Sequence, residues 1–279
     1  MTTNRLQRRI STLHLLIIIF LLIVAVFVVF PYILMLLTSF RTTKEILTYS
    51  REILPREWTI SGYIKVFTQA PFVKWFINSV IITGTVTVAV LFTSTITGFV
   101  FGKYRFKYKN ALFLIILATM MVPSQVTMIP SFLIINWMGL YNKLAALIVP
   151  ALISTFGIFL CKQFIEDIPD SLCESATIDG AGDFLIYLKI ILPQIKPAIG
   201  ALTIFTFLAT WNDYLGPLIM LSEVDKMTLP LALSFFNSQH STDIGTTMSA
   251  ATLVMLPVTL VFIIFQKQFI KGISLTGIK

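Results

Sequence analysis

The residues that carry most enzyme chemistry are scarce in this chain and lie far apart. His14 and His240 stand at opposite ends of the sequence, and neither has a nearby nucleophile or carboxylate with which to form a nucleophile–base pair. Cys161 and Cys173 are twelve positions apart, beside no histidine and no second cysteine pair, which fits neither a metal site nor a disulfide framework. We therefore expect two free thiols, no bound metal and no catalytic residue.

Nucleotide chemistry is equally unsupported by the sequence. The nearest match to the phosphate-binding pattern G-x-x-x-x-G-K-[ST] runs from Gly98 to Tyr104, and it departs from that pattern in glycine spacing and in its last residue. No basic stretch alternates with aromatic residues that could stack on bases. We expect no cofactor on this chain and no nucleic-acid partner.

The composition points to the bilayer as the solvent of this chain. Of 279 residues, 56% are hydrophobic and only 12% are charged, and the mean hydropathy is +0.88, whereas soluble domains carry about 25% charged residues. Separate apolar runs are long enough to cross a membrane. The sequence predicts an all-α polytopic membrane protein, one transmembrane domain over residues 1–279, surrounded by lipid, with six spans at about 13–37, 76–101, 111–129, 144–165, 198–221 and 248–266.

The basic residues predict the orientation of these spans. Six spans place both termini on one side, and thirteen of the 21 lysines and arginines fall on that side. Short loops rich in lysine and arginine stay in the cytoplasm. We therefore expect both termini to be cytoplasmic. The basic residues on that side are Arg5, Arg8, Arg9, Lys103, Arg105, Lys107, Lys109, Lys162, Lys189, Lys196, Lys267, Lys271 and Lys279.

Two spans depart from a plain lipid-facing helix. The second is rich in small residues and ends in Gly98-x-x-x-Gly102, which lets helix backbones approach closely. The third contains Pro123 and Pro130, so its backbone either faces protein or a watery cavity or the helix ends near Pro123. Both interpretations of the third span remain open from the sequence.

Candidate substrate contacts cluster near one end of the fifth span. An acid within a membrane span is a functional-site hypothesis by default, and Asp213 is such a residue. Its neighbours could stack on a sugar or form hydrogen bonds with it. Alternatively, they could have a structural role where the helix is interrupted at Gly216-Pro217. Gln125, after Pro123, is a similar candidate. The set is Trp211, Asn212, Asp213, Tyr214 and Gln125.

The loop between the fourth and fifth spans, residues 166–197, holds six of the thirteen acidic residues of the chain. Ser171 and Glu174 have the spacing of a capping box, which predicts a short helix beginning near Leu172. Gly180 supplies the turn, and Asp183 can cap a second helix that runs to Pro193. Because so short a helix is marginal alone, it packs either on a partner protein or on the ends of the chain's own spans.

The spacing in this loop resembles the EAA loop of binding-protein-dependent ABC importer permeases. The shared residues are Glu174-Ser175-Ala176, Gly180, Ile190 and Leu192-Pro193, with Ser175 in place of the usual alanine. The flanking sequence is similar to the carbohydrate branch, in particular the second permease of maltose-type importers. That similarity rests on Ile168-Pro169, Ile178-Asp179-Gly180-Ala181, Trp211-Asn212-Asp213-Tyr214, Pro217-Leu218, Phe265-Gln266-Lys267 and Lys271-Gly272.

The resemblance implies a type I ABC importer permease fold in a bacterial cell membrane and a role in moving a sugar or oligosaccharide. The implied partners are a homologous second permease, an extracytoplasmic solute-binding protein and two ATPase subunits, which hold ATP and magnesium. The loop would form a coupling helix seated on the ATPase, with contacts made or shaped by Glu174, Ser175, Ala176, Ile178, Asp179, Gly180, Leu192 and Pro193.

The sequence is also compatible with other functions. A secondary transporter would show internal repeats and buried charges near the bilayer midplane, and Asp213 alone lies well inside a span. A non-conducting assembly subunit would need neither the broken third span nor the polar second one. The same importer class could also carry a polyol, a sugar phosphate or a short peptide-like solute.

Overall fold

The computed structural model describes residues 12–239 and 243–276, and within them the chain is helical with no β-strand. Arg5, Arg8, Arg9, His240 and Lys279, which the sequence predictions used, lie outside the described residues. The helices are α1 Thr12–Thr38, α2 Thr43–Thr48, α3 Ser61–Gln69, α4 Phe72–Lys103, α5 Lys109–Thr119, α6 Ser124–Trp137, α7 Ala145–Ile148, α8 Thr155–Glu166, α9 Asp170–Ile178, α10 Asp183–Ile186, α11 Leu192–Gln194, α12 Lys196–Trp211, α13 Leu215–Met220, α14 Leu229–Gln239 and α15 Ile244–Thr276.

The predicted all-α membrane architecture is confirmed. Four helical segments of the described chain are long and apolar enough to cross a bilayer: His14–Thr38, Phe72–Lys103, Ala145–Glu166 and Ile244–Gln266. Two further pairs of helices pass the same test but are sharply bent. Counting each bent pair as one span gives the predicted six.

The predicted third span is not one continuous helix. It ends at Thr119, and α6 begins at Ser124 after a bend of 94°. Pro123 occupies the first position outside α6, and a proline there disfavours the helical conformation of the residue before it. Pro130 lies inside α6, where the helix continues through it. Of the two interpretations, the one in which the helix ends near Pro123 describes the backbone.

The predicted fifth span is also interrupted. Its helix, α12, stops at Trp211 after 16 residues, about 24 Å of helix, which is shorter than the hydrocarbon core of a bilayer. The carboxylate of Asp213 then accepts a hydrogen bond from the Gly216 N–H at 3.1 Å. That local bond competes with continuation of the helix, and the short helix α13 follows.

The chain forms two compact units, which we describe separately. The first contains residues 12–68 and 243–253 of the described chain. Its buried Arg41 donates to the Glu45 carboxylate at 3.0 Å and to the carbonyl oxygens of Glu52 and Tyr49 at 2.8 and 3.0 Å. These bonds join α2 to the segment that follows it.

The second unit is built around a close contact between α4 and α8. A Cβ atom added at Gly98 would lie 2.7 Å from the Cys161 Cβ, and one at Gly102 would lie 2.7 Å from a methyl group of Ile165. The small residues at these positions therefore permit the close helix approach that the sequence predicts. α12 packs on α4 beside this contact, with Ile82, Ile165, Ile191 and Leu202 in the shared core.

The loop between α13 and α14 is tied to the first turns of α4. The indole N–H of Trp75 donates to the Val224 carbonyl at 2.6 Å, and Asn78 donates to two further carbonyls of the loop at 3.0 Å. The Ser79 hydroxyl accepts from the N–H of Leu229 at 2.8 Å. These bonds fix the loop at the Phe72 end of α4.

Candidate functional site

The helix α9, in the acidic loop, is fastened to the end of α4 by a lysine. The Nζ of Lys103 lies 2.7 Å from the Asp170 carboxylate and also donates to the Ile168 carbonyl. The Lys103 side chain is only 7% exposed. The hydrogen bond and the positive charge of Lys103 hold the pKa of the Asp170 carboxyl below its usual range. The start of α9 is therefore anchored to a membrane-spanning helix.

The predicted capping box is wrong. The helix begins at Asp170, with Pro169 preceding it and no side-chain cap, so Ser171 already lies within the first turn. A serine with helical backbone cannot act as the N-cap. Instead the hydroxyl of Ser175 donates to the Ser171 carbonyl at 2.9 Å, and Glu174 projects outward. Lys103 fixes the position of this end of α9 but does not cap it, because an ammonium cannot accept hydrogen bonds from the first N–H groups of the helix.

The other end of α9 closes in a Schellman motif. Gly180 has a φ of +86°, and its N–H donates to the Thr177 carbonyl at 3.0 Å. The N–H of Ala181 donates to the Ala176 carbonyl at 2.9 Å, and both of these alanines pack on the core. The structure therefore places Gly180 at the turn, in a conformation that other residues rarely adopt.

The two faces of α9 have different environments. Cys173 and Ala176 face the core of their own unit. Glu174 and Ser175 are exposed on the opposite side, together with Ile178, whose side chain is 87% exposed. Asp179 is exposed at the C-cap position. Of the apolar contacts expected from the sequence, Ile178 is available to a partner and Ala176 packs inward.

Aromatic residues support the far side of the turn. The ring of Tyr104 lies 5.4 Å from that of Phe99, which in turn lies 5.7 Å from Tyr187. The Tyr187 hydroxyl is 2.8 Å from the buried hydroxyl of Thr95. Burial, with a hydrogen bond to the Asp183 carboxylate, raises the pKa of Tyr104 to about 12. Tyr104 therefore stays protonated and holds Asp183 throughout the physiological pH range.

The second helix of the loop differs from the prediction in its start and its end. Gly182 precedes it, and Asp183 is its first residue rather than its cap. The helix continues through a π-helical turn at Tyr187–Ile191 and on past Pro193 to Gln194, where the chain bends by 78° into α12. Pro193 has no N–H, so this continuous helical segment lacks a backbone hydrogen bond at that position, just before the bend.

Leu192 and Pro193, which the motif resemblance singles out, lie just before this bend. Leu192 packs against the core and Pro193 is exposed. Sequence reasoning missed three residues that shape the same surface, namely Lys103, Tyr104 and Phe184. Phe184 is 67% exposed beside the turn. Large apolar residues within a polar loop outside the spans, such as Ile178 and Phe184, are the sequence feature that could have indicated this surface.

The candidate substrate residues do not form one group. Trp211 is 1% exposed, and its indole donates to the Val254 carbonyl at 3.2 Å and stacks on Phe207 with ring centroids 5.5 Å apart. Asn212 and Tyr214 are exposed, and Asp213 is half-buried and lines a cavity. Gln125 lies exposed in the first turn of α6. The structure therefore gives Trp211 a packing role and leaves Asp213 facing a cavity.

Replacing Trp211 by alanine should lower the amount of folded protein rather than change substrate affinity. Loss of a buried aromatic side chain costs about 3–5 kcal/mol, and here a hydrogen bond to the Val254 carbonyl is lost as well. The measurements are the thermal unfolding temperature of the detergent-solubilised protein and its abundance in the membrane. Asn212→Ala, at an exposed neighbouring position, is the matched control. An unchanged unfolding temperature with a raised half-saturation concentration for uptake would contradict this assignment.

The described chain is thus an all-α multi-pass protein with a short extramembrane helix anchored to a candidate membrane span. Residues 94–275 match the family of binding-protein-dependent transport system inner membrane components. The match includes α9 and most of the second unit. The chain belongs to this family of transport components, as the resemblance of its acidic loop implied.

Individual relatives extend the similarity over most of the chain. It is 31% identical to an arabinooligosaccharides transport system permease of Halalkalibacterium halodurans, covering 92% of this chain and 93% of the relative. It is 33% identical to the permease of the same description in Bacillus subtilis, covering 93% and 94%. The fold is similar to a chain of a bacterial ABC transporter involved in alginate import, with a TM-score of 0.82, 24% identity and coverage of 94% and 98%.

Proposed function

We propose that this chain is the permease subunit of an ABC importer that passes a sugar or oligosaccharide and takes its driving force from a separate ATPase through residues 166–197. The observation that carries the proposal is α9, whose inner face is fixed to its own chain and whose outer face is exposed. A helix held in this way can transmit a movement imposed on its outer face to the spans that hold it.

The outer surface of α9 has the chemistry of a protein-docking site. Glu174 and Asp179 offer carboxylates to basic groups of a partner, while Ile178 and Phe184 offer exposed apolar side chains. Charged residues around an apolar contact favour orientation and specificity of binding. The sequence left open whether α9 packs on a partner or on the chain's own spans. In this proposal it does both, because its inner face packs on the chain and its outer face binds the ATPase.

The same proposal includes the remaining partners and the orientation. A homologous second permease would complete the pathway, and an extracytoplasmic binding protein would deliver the solute, in keeping with the family description. The cargo class is supported by the two arabinooligosaccharide permeases. Both termini and α9 would face the cytoplasm, which the excess of basic residues on that side supports.

Affinity purification tests the assembly directly. The tagged chain is extracted gently from its own membranes, and the proteins that remain bound are identified by mass spectrometry. We expect a second multi-span permease and an ATPase with a nucleotide-binding P-loop. Recovery of this chain alone, or only with further copies of itself, would contradict the proposal and favour a transporter that works without an ATPase.

Reversing the charge of Glu174 should release the ATPase without unfolding the chain. Glu174→Lys places an ammonium on the exposed face of α9, where it would oppose the basic groups of the proposed partner. We expect co-purified ATPase to fall at least about tenfold, equivalent to about 1.4 kcal/mol, with uptake falling in parallel. Asp167→Lys, an exposed acid just outside α9, is the control and should retain both. Equal recovery of ATPase with the two variants would refute docking through Glu174.

A further inference from the structure

A row of hydroxyl groups on α12 faces a groove in the second unit. Thr206 and Thr210 are four residues apart and lie on one face of α12, and Asp213 follows just after the end of this helix. Two adjoining cavities of about 430 and 180 Å³ run beside this face, and they share Thr210 and Ala209 in their linings. The larger volume falls within the range of about 300–1,000 Å³ that is usual for small-molecule sites.

The hydroxyls in this groove are free to bind another molecule. On the same helix, the hydroxyl of Thr203 donates to the Ile199 carbonyl at 2.7 Å, which is the usual way in which an apolar span satisfies a threonine. Thr206 and Thr210 make no such bond to any residue that the structure describes. Both threonines line the groove, and neither hydroxyl has a partner among the described residues.

A buried polar atom gives an independent indication of a ligand. Thr228 lines the smaller cavity and is 6% exposed, and its hydroxyl has no hydrogen-bond partner among the described residues. An unpaired buried hydroxyl costs about 1–3 kcal/mol, so such groups are normally satisfied by protein, water or a bound molecule. Thr228 therefore adds an unsatisfied hydroxyl to a residue set that lines the smaller cavity and that also includes Thr210 and Asp213.

The linings also define the chemistry of the occupant. Threonine hydroxyls both donate and accept, which suits the hydroxyl groups of a sugar. Phe156 and Phe205 line the larger cavity with their rings 5.7 Å apart, and they offer an apolar surface to the C–H face of a sugar ring. Neither cavity is lined by a lysine or arginine of the described chain. A carboxylate or phosphate on the cargo would find no cation here and would meet Asp213.

From these features we infer that the groove binds one ring of a neutral sugar during transport, through hydrogen bonds with the hydroxyls of Thr206, Thr210 and Thr228 and through hydrogen bonds that the sugar donates to the Asp213 carboxylate. The inference rests on the proposed import function and deepens it. It assigns cargo contacts to this subunit, and it selects a neutral sugar over a sugar phosphate or an acidic sugar. Trp211, Asn212 and Tyr214 have no part in this site.

Uptake by the complete transporter in proteoliposomes, with its binding protein, tests the site. The probes are arabinotriose, maltotriose, lactose, trigalacturonate and glucose 6-phosphate, followed by singly deoxygenated analogues of the best-transported sugar. We expect a neutral sugar to be transported best. Thr210→Val and Thr228→Val should each slow its uptake about three- to tenfold, the effect of losing one hydrogen bond. Thr203→Val, whose hydroxyl is satisfied within α12, should leave uptake unchanged.

The deoxygenated analogues separate direct contact from a structural effect. In the wild-type transporter, the analogue that lacks the contacting hydroxyl should be transported more slowly than the sugar. In the matching valine variant the sugar and that analogue should be transported at nearly equal rates, because the protein group that bound the hydroxyl is absent. Preferred transport of an acidic probe, or sugar-to-analogue rate ratios that stay at their wild-type values in both variants, would overturn the site while leaving the importer intact. Absence of uptake for every probe by the wild-type transporter would instead overturn the proposed function, and this site with it.

Discussion

Gly180→Pro should abolish uptake while leaving the protein inserted in the membrane at its normal level. Gly180 has a φ of +86°, whereas proline is restricted to about −65° and also lacks the N–H that donates to the Thr177 carbonyl. Proline further disfavours the near-helical conformation of the preceding Asp179. The Schellman motif cannot form, so α9 loses its fixed end and the outer face of the helix loses its orientation.

Gly182→Pro provides the matched control for this substitution. Gly182 lies two residues away with a φ of −75°, which proline adopts without strain, and a Cβ there would meet no other atom within 4 Å. We expect uptake within about twofold of wild type. The measurement is sugar uptake normalised to the amount of permease in the membrane. Transport by Gly180→Pro at the level of Gly182→Pro would show that the shape of this turn is irrelevant to function.

Lys103→Met should uncouple ATP hydrolysis from transport. The variant keeps the length of the side chain but removes the ammonium that joins α4 to Asp170 and to the Ile168 carbonyl. A hydrogen bond to a charged group is worth about 1.5–3 kcal/mol, and the exposure of Asp170 reduces this through solvent screening. We expect the ATP hydrolysed per sugar transported to rise about tenfold, because α9 can then move without moving α4.

Two further variants distinguish this positioning role from general damage to the fold. Lys103→Arg keeps the charge and the donors and should restore most of the coupling. Lys107→Met removes an exposed lysine four residues along the chain and should behave as wild type. The ratio of ATP hydrolysed to sugar transported is measured in proteoliposomes that contain the whole assembly. A normal ratio for Lys103→Met would show that α4 and α9 need not be joined at this point.

The number and type of the spans follow from the sequence because they depend on the length of apolar runs. The turn at Gly180 also follows from the sequence, because glycine readily adopts the positive φ that such a turn requires. Helix interruptions are harder to place: α12 ends at Trp211 because the Asp213 side chain bonds to the Gly216 backbone, within an otherwise apolar run. Hydropathy averages over that feature and predicts one long span.

Contacts between distant residues could not be predicted at all. Lys103 and Asp170 are 67 positions apart in the sequence, so their ion pair has no local signal. The spacing of Ser171 and Glu174 predicted instead that α9 begins near Leu172, whereas it begins at Asp170. The packing role of Trp211 was equally hidden, because its partner carbonyl belongs to Val254 on another helix. Such roles depend on which helices become neighbours, and hydrophobic periodicity does not specify neighbours.

The backbones of α4 and α8 approach so closely at Gly98 and Gly102 that an added Cβ would clash with the facing helix. We expect two helices packed in this way to move together. With 32 residues, α4 alone is about 48 Å long, and it joins the Lys103 anchor of α9 to the loop held by Trp75 and Asn78. A movement imposed at one end of α4 would therefore reach the loop at its other end, on the opposite side of the membrane.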